Sequence, residues 1–170
     1  MANAIAIIGN SGSGKSTSMG QIPELGIKGL NPKETFIINT KGKPLPVRGW
    51  KKQYKEIDIT KPPTEGNYLA STDPGLIVKT LDYINKNRLD IKNVVLDDFI
   101  YIMSEGFMQK ALQGGFEKFN ILAKNAYDVI NMGINMRENV NFILMTHDDE
   151  DNGKAKMKFL GEHFAQVKSI

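Results

Sequence analysis

The chain has 170 residues, 41% hydrophobic and 24% charged, the composition of one folded domain rather than a disordered or membrane-spanning chain. It has no cysteine and two histidines, which excludes a disulfide framework, cysteine-ligated zinc and thiol catalysis and leaves little for a histidine-rich metal site. The net charge of +3 permits a polyanionic partner without demanding one, and the lack of cysteine fits a reducing, cytoplasmic compartment.

Taken in chain order, Ala4–Ile8 is short and apolar throughout, which predicts a strand buried on both faces. The preceding residues carry no basic segment of a signal peptide, and no apolar run approaches the roughly 20 residues of a membrane span. Ser16–Gln21 is expected to open the first helix, which must stop before Pro23. Thr35–Ile38 predicts a second buried strand. Residues 41–72 are rich in Pro, Gly, Lys and Thr and read as an irregular basic insertion, with Ile57 and Ile59 suggesting a short edge strand. Asp73-Pro74 marks a helix start, and Leu76, Ile77, Leu81 and Ile84 form its apolar stripe. A third buried strand covers Val94–Asp98, and Phe99–Leu112 is expected to be helical up to the Gly114-Gly115 break. Phe116, Phe119, Ala123, Ala126 and Ile130 repeat at helical spacing. Val140–Met145 predicts a fourth strand, followed by a charge-dense segment read as a flexible solubilising loop and a short amphipathic stretch reaching Ile170. Strands alternating with helices over residues 1–170 predict one α/β domain with a mainly parallel sheet flanked by helices.

Gly9-Asn10-Ser11-Gly12-Ser13-Gly14-Lys15-Ser16 satisfies G-x-x-x-x-G-K-[ST] at every fixed position, between a predicted strand and a predicted helix. Glycines let successive N–H groups curl toward phosphate oxygens, and a helix N-terminus adds partial positive charge. Lys15 is expected to bridge the β- and γ-phosphates of ATP, Ser16 to ligate Mg²⁺, and Thr17 to lie near the α-phosphate.

Ligands of open parallel sheets gather at the carboxyl ends of the strands. There Asp97 reads as the Walker B carboxylate that holds Mg²⁺ through water, and Asp98 as the general base for the attacking water. The competing role for Asp98 is a helix N-cap. Thr146 and His147 end the fourth strand, and His147 is a candidate for contacting the γ-phosphate or orienting the water, against a solvated histidine at a strand end. Were His147 to reach that phosphate, its strand must lie between the Ala4–Ile8 and Val94–Leu96 strands. His163 has no motif around it and reads as surface.

AIAIIGNSGSGKST, TFIINTKGKPLP, NVVLDDFIYIM, GFEKFNILAKNAYDVI and NFILMTHDDED, in this order, resemble a RecA-like P-loop ATPase of the additional-strand class. The closer resemblance is to small bacteriophage ATP-binding proteins related to single-strand annealing recombinases. It implies ATP hydrolysis with Mg²⁺, action on single-stranded DNA in phage recombination or replication, a host-cytoplasmic location, and an oligomer with nucleotide between subunits. A neighbour would then supply a basic finger, for which Lys110, Lys118, Lys124 and Arg137 are candidates. The sequence departs from that pattern in two places. A RecA-like core carries a fifth strand beyond the first. Here only 23 residues follow His147 (170 − 147), so the core is expected to lack that strand, either because the chain is a truncated product or because Phe164–Ile170 begins a strand whose remainder is missing. The catalytic glutamate many such enzymes carry after the second strand is replaced by Asn39-Thr40-Lys41, which shifts the general base to Asp98.

Lys41, Lys43, Arg48, Lys51, Lys52 and Lys55 run without an acid, interleaved with Trp50 and Tyr54. That composition suits single-stranded nucleic acid, with cations on phosphates and aromatics on bases. The slightly favoured alternative is a solvated loop whose tryptophan packs back on the domain. Lys154, Lys156 and Lys158 are offset by Asp148, Asp149, Glu150 and Asp151. Two other functions fit the phosphate loop: a small-molecule or nucleotide kinase, although only three scattered arginines are present for a lid, and a non-enzymatic nucleotide-binding assembly module.

Overall fold

A computed structural model describes residues 1–58, 60, 65–112, 114–115, 117–151 and 154–157. Five strands, β1 (Asn3–Ile8), β2 (Thr35–Asn39), β3 (Tyr68–Ala70), β4 (Asn93–Asp97) and β5 (Asn141–Thr146), form one parallel sheet in the order β1-β5-β4-β2-β3. β5 therefore separates β1 from β4, the placement expected from its polar end. The helices are a single turn α1 (Trp50–Gln53), then α2 (Pro74–Asn87), α3 (Ile100–Gln109) and α4 (Glu117–Ile134). No helix among the described residues is long and apolar enough to cross a membrane.

The two faces of the sheet are covered differently. Phe36, Ile38, Val94, Leu96, Phe142 and Leu144 meet the three longer helices in one core. On the opposite face Ile37, Val95, Ile143 and Met145 pack against Met19, Leu45 and Tyr54, which come from short turns and irregular chain. Alternation along each strand splits its residues between these two cores, so β2 is buried at every position.

α2 begins as its sequence requires. The Asp73 carboxylate accepts the N–H groups of Gly75 and Leu76 at 2.8 and 3.1 Å, and Pro74 occupies the position where an N–H has no helical partner. Its far end is closed by Arg137, whose guanidinium donates to the main-chain oxygens of Ile84, Asn85, Arg88 and Ile91 at 2.5–3.1 Å. The Ile84, Asn85 and Arg88 carbonyls form the negative end of the helix, where a cation is favoured, and Ile91 belongs to the turn that follows. α4 crosses the sheet closely at Gly133, where a Cβ would come within 2.3–2.5 Å of three atoms of the Phe142 ring. Gly133→Ala is expected to cost about 1–3 kcal/mol, because a strand side chain in a packed core has little room to retreat. Chemical denaturation of the two proteins checks this, and an unchanged midpoint would show that the ring moves freely.

Several expectations are corrected. β1 is not buried on both faces: it forms the sheet edge, with Ile5 39% and Ile8 38% exposed. An apolar run marks a strand but carries no information on whether both neighbours are present, and among the described residues only β5 pairs with it. The helix expected over Ser16–Gln21 is one 3-10 turn at Thr17–Met19. Gly20 adopts an extended conformation that ends the turn, and Pro23 follows too soon for another. The second edge strand is Tyr68–Ala70 rather than the Ile57/Ile59 pair: Ile57 is buried beside it, held through a bridge between Glu56 and Tyr68, and Ile59 lies outside the described residues. The segment read as a flexible loop after β5 is an antiparallel hairpin of β6 (Asp148–Asp151) and β7 (Lys154–Met157), whose register sets Asp149 opposite Lys156 and Asp151 opposite Lys154. Phe116, Lys158, His163 and the Phe164–Ile170 segment lie outside the described residues.

Candidate functional site

The carboxyl ends of β1, β2, β4 and β5 converge on one cavity of about 290 Å³. Along one wall runs the loop that follows β1. Gly12 and Gly14 have φ of 79° and 89°, and an added Cβ would meet nothing within 4 Å at either. Glycine is needed there for backbone conformation alone. Lys15 is only 9% exposed because its ammonium folds into the loop, donating to the main-chain oxygens of Gly9 at 2.6 Å and Asn10 at 2.8 Å. The loop is fastened to the sheet by the Gly9 N–H, which donates to the Thr146 oxygen at 3.3 Å. Ser11, Gly12, Gly14, Lys15, Ser16 and Thr17 face the cavity, while Ser13 turns its N–H back to the Asn10 oxygen at 3.2 Å. With a single 3-10 turn after the loop, the attraction available to an anion there comes from these local N–H groups and Lys15 rather than from a long helix dipole.

The opposite wall carries the acids. Asp97 ends β4, is 4% exposed, and accepts the Ser16 hydroxyl at 2.9 Å. Burial pushes its pKa up to about 6, and the charge of Asp98 adds to the rise, while the Ser16 hydroxyl and Lys15 pull it down. Ser16 and Asp97 thus offer two hard oxygen atoms side by side. Among the described residues no cluster of three or more His, Asp or Glu forms a complete metal cage. Two oxygen ligands suit Mg²⁺, which keeps waters and takes substrate phosphate oxygens for the rest.

Asp98 is the only non-glycine residue with positive φ among those described, at 62°. Asp tolerates this region better than most residues. The twist carries its carboxylate toward His147, with Nε2 and Oδ1 3.4 Å apart. The capping alternative is not realised, since α3 starts without a side-chain cap. His147 is likewise not a free strand-end group: it is 19% exposed, and the Tyr101 ring meets it edge-on with centroids 6.2 Å apart. A second cavity of about 360 Å³ adjoins the first and shares Ser11, Tyr101 and His147 with it.

Sequence reasoning missed Asn39 and Thr40. Asn39, 3% exposed, accepts the Gly42 N–H at 3.0 Å and donates to the Lys43 oxygen at 2.7 Å, clamping the turn that brings Lys43, Pro44 and Leu45 to the cavity wall. The Thr40 hydroxyl donates to the Asp98 oxygen at 2.6 Å and lies 3.0 Å from that of Asp97. Nothing in a bare Asn-Thr pair distinguishes these contacts from those of a surface turn. Their only signal was position, directly after a buried strand.

Elsewhere the expected partners are occupied. Trp50 packs on Tyr68 with ring centroids 5.3 Å apart, so it belongs to the fold rather than to an open stacking surface. Arg137 is committed to the end of α2, and Lys124 pairs with Asp128. Lys118 lies over the Phe107 and Phe119 rings. No family model matches the chain. No curated protein matches it in sequence either.

Proposed function

We propose that this chain is a RecA-like P-loop ATPase of the additional-strand class, binding Mg-ATP in the cavity above β1 and β4 and hydrolysing it to ADP and phosphate. The observation that carries the reading is the strand order. It brings the end of β5, with His147, between the phosphate loop and the Asp97-Asp98 pair. A kinase with the acidic strand directly beside the loop strand has a different order.

In this reading the loop N–H groups and Lys15 hold the β- and γ-phosphates, while Ser16 and Asp97 hold Mg²⁺. The metal, when bound, neutralises charge on the phosphate oxygens. Asp98 orients a water and takes its proton as the water oxygen bonds to the γ-phosphorus and the bond to the β-phosphate oxygen breaks. His147, beside Asp98, fixes the direction of that carboxylate and shares the proton. Single-stranded DNA is the proposed polyanionic partner. The exposed cations of residues 41–55 would hold its phosphates without base stacking by Trp50, which the Tyr68 contact engages. The resemblance implies a role for this activity in phage recombination or replication.

Asp98→Asn is the discriminating variant, because asparagine also tolerates positive φ and the backbone is left in place. Nucleotide titration should give parental affinity, while phosphate release should fall about 100-fold or more. Loss of binding equal to the loss of turnover sinks the assignment of a base. Turnover that requires an added metabolite instead of water points to a kinase, and binding without any turnover in the parent points to an assembly module.

A further inference from the structure

We propose that Lys41 is a second phosphate-directed cation supplied by the same chain, parked on Tyr101 at the mouth of the cavity and placed to reach the terminal phosphate of a bound nucleoside triphosphate. The inference rests on the nucleotide reading above and names a residue that reading does not use.

The base of Lys41 is fixed beside the acids. Thr40, the residue before it, is held by its hydroxyl to the main chain of Asp97 and Asp98, and the Asn39 clamp closes the turn, with Gly42 at φ 62°. The ammonium donates to the Tyr101 hydroxyl and lies 4.0 Å from the centroid of that ring. Tyr101 lines the cavity together with Asp98 and His147. Among the described residues no carboxylate pairs with Lys41. Its direct partners, the Tyr101 hydroxyl and ring, are neutral, the Asp98 charge attracts it from farther off, and exposed cation–π contacts are weak. A doubly charged phosphate terminus in the cavity that Tyr101 lines would be a stronger partner.

The chemistry asks for such a group. Charge in phosphoryl transfer spreads over the three outer oxygens of the transferred phosphate, and Lys15 approaches from the loop side only. A cation from the opposite wall completes the clamp. The candidates for a neighbour's finger do not all stand free for that role: Arg137 closes α2, and Lys124 is paired with Asp128. Lys41 meets the cavity from within the chain through Tyr101, one of its lining residues, while Lys43 lines the wall itself.

The test compares parent, Lys41→Gln, Lys41→Arg and Lys43→Gln by titration with Mg-ATP and Mg-ADP, by phosphate release, and by thermal melts. Lys41→Gln is expected to weaken ATP about tenfold or more, leave ADP within twofold, and slow release about 100-fold, with an unchanged melt. Lys41→Arg should restore most of both values. Turnover per molecule of parent should stay constant over a tenfold range of protein concentration. A parental ATP:ADP ratio and parental release in Lys41→Gln overturn the inference, as do equal losses for ATP and ADP. Larger effects at Lys43, or turnover that rises with protein concentration, also overturn it, by moving the cation to the neighbouring residue or to a second copy. All of these leave ATP binding by the parent intact. A parent that binds neither nucleotide overturns the functional reading itself, and this inference with it.

Discussion

Lys15→Ala is expected to abolish detectable ATP binding at micromolar nucleotide, with a loss of about 100-fold or more. Two effects add. The variant loses charge-assisted hydrogen bonds to phosphate, each worth about 1.5–3 kcal/mol. It also strips the Gly9 and Asn10 carbonyls of the donor they share, so two main-chain oxygens point into the loop where an anion is meant to sit. The loop depends on Lys15 more than usual, because only one 3-10 turn follows and little helix dipole is available to compensate. Calorimetric titration of parent and variant reads the difference. ATP affinity within threefold of the parent would falsify the placement of phosphates in this loop.

Asp97→Asn is expected to move stability and function in opposite directions. The folded protein holds the Asp97 proton with a pKa of about 6, against an ordinary value of 3.8. A group with a raised folded pKa favours the fold fully below its unfolded pKa, and that contribution is lost as pH rises through about 6. At pH 8 the ionised, buried carboxylate then costs up to about 3 kcal/mol in the absence of a cation. Asparagine keeps an oxygen for the Ser16 hydroxyl and removes that cost. The apo variant should melt several degrees higher than the parent at pH 8 and near the parent at pH 4. Its nucleotide affinity should no longer increase when Mg²⁺ is added, whereas the parent's Mg²⁺-dependent gain should grow between pH 5 and 7. A lower melting temperature for the variant at pH 8 would mean that the carboxylate stabilises the apo fold. Retention of the Mg²⁺ effect would remove it from the metal site.

What the sequence disclosed followed from how local the cause was. The glycine loop after β1 is legible because eight consecutive residues carry its conformation, with positive φ at Gly12 and Gly14. The start of α2 is equally legible, since Asp73 and Pro74 act on the next turn of chain alone. The exposure of β1 depends on which strand lies beside it, a matter of topology that the composition of Ala4–Ile8 does not encode. The β6–β7 hairpin escaped because β6 is charged throughout and the alternation of β7, Lys154-Ala155-Lys156-Met157, spans only four residues, too few to stand out from a charged segment. Asp97, Asp98 and His147 were correctly placed at one end of the sheet by the rule for parallel strands. The His147–Asp98 pairing, in contrast, depends on the unusual backbone of Asp98, and the clamp by Asn39 depends on two hydrogen bonds across one turn.

The pairing of β1 with β5 has a consequence for how the protein is made. Asn3 and Asn141 are register partners separated by 138 positions, and the phosphate loop is anchored to Thr146. At about 5–20 residues per second, the first strand and its loop wait roughly 7–30 s during synthesis before their partner exists. Strands β2 and β4, 58 positions apart at Thr35 and Asn93, can meet long before that. A nascent chain would therefore assemble the β2–β4 half with α2 first, while an apolar segment near its start stays unpaired. Pulse proteolysis of stalled chains should find the half-sheet protected early and the loop after β1 protected only once β5 has emerged.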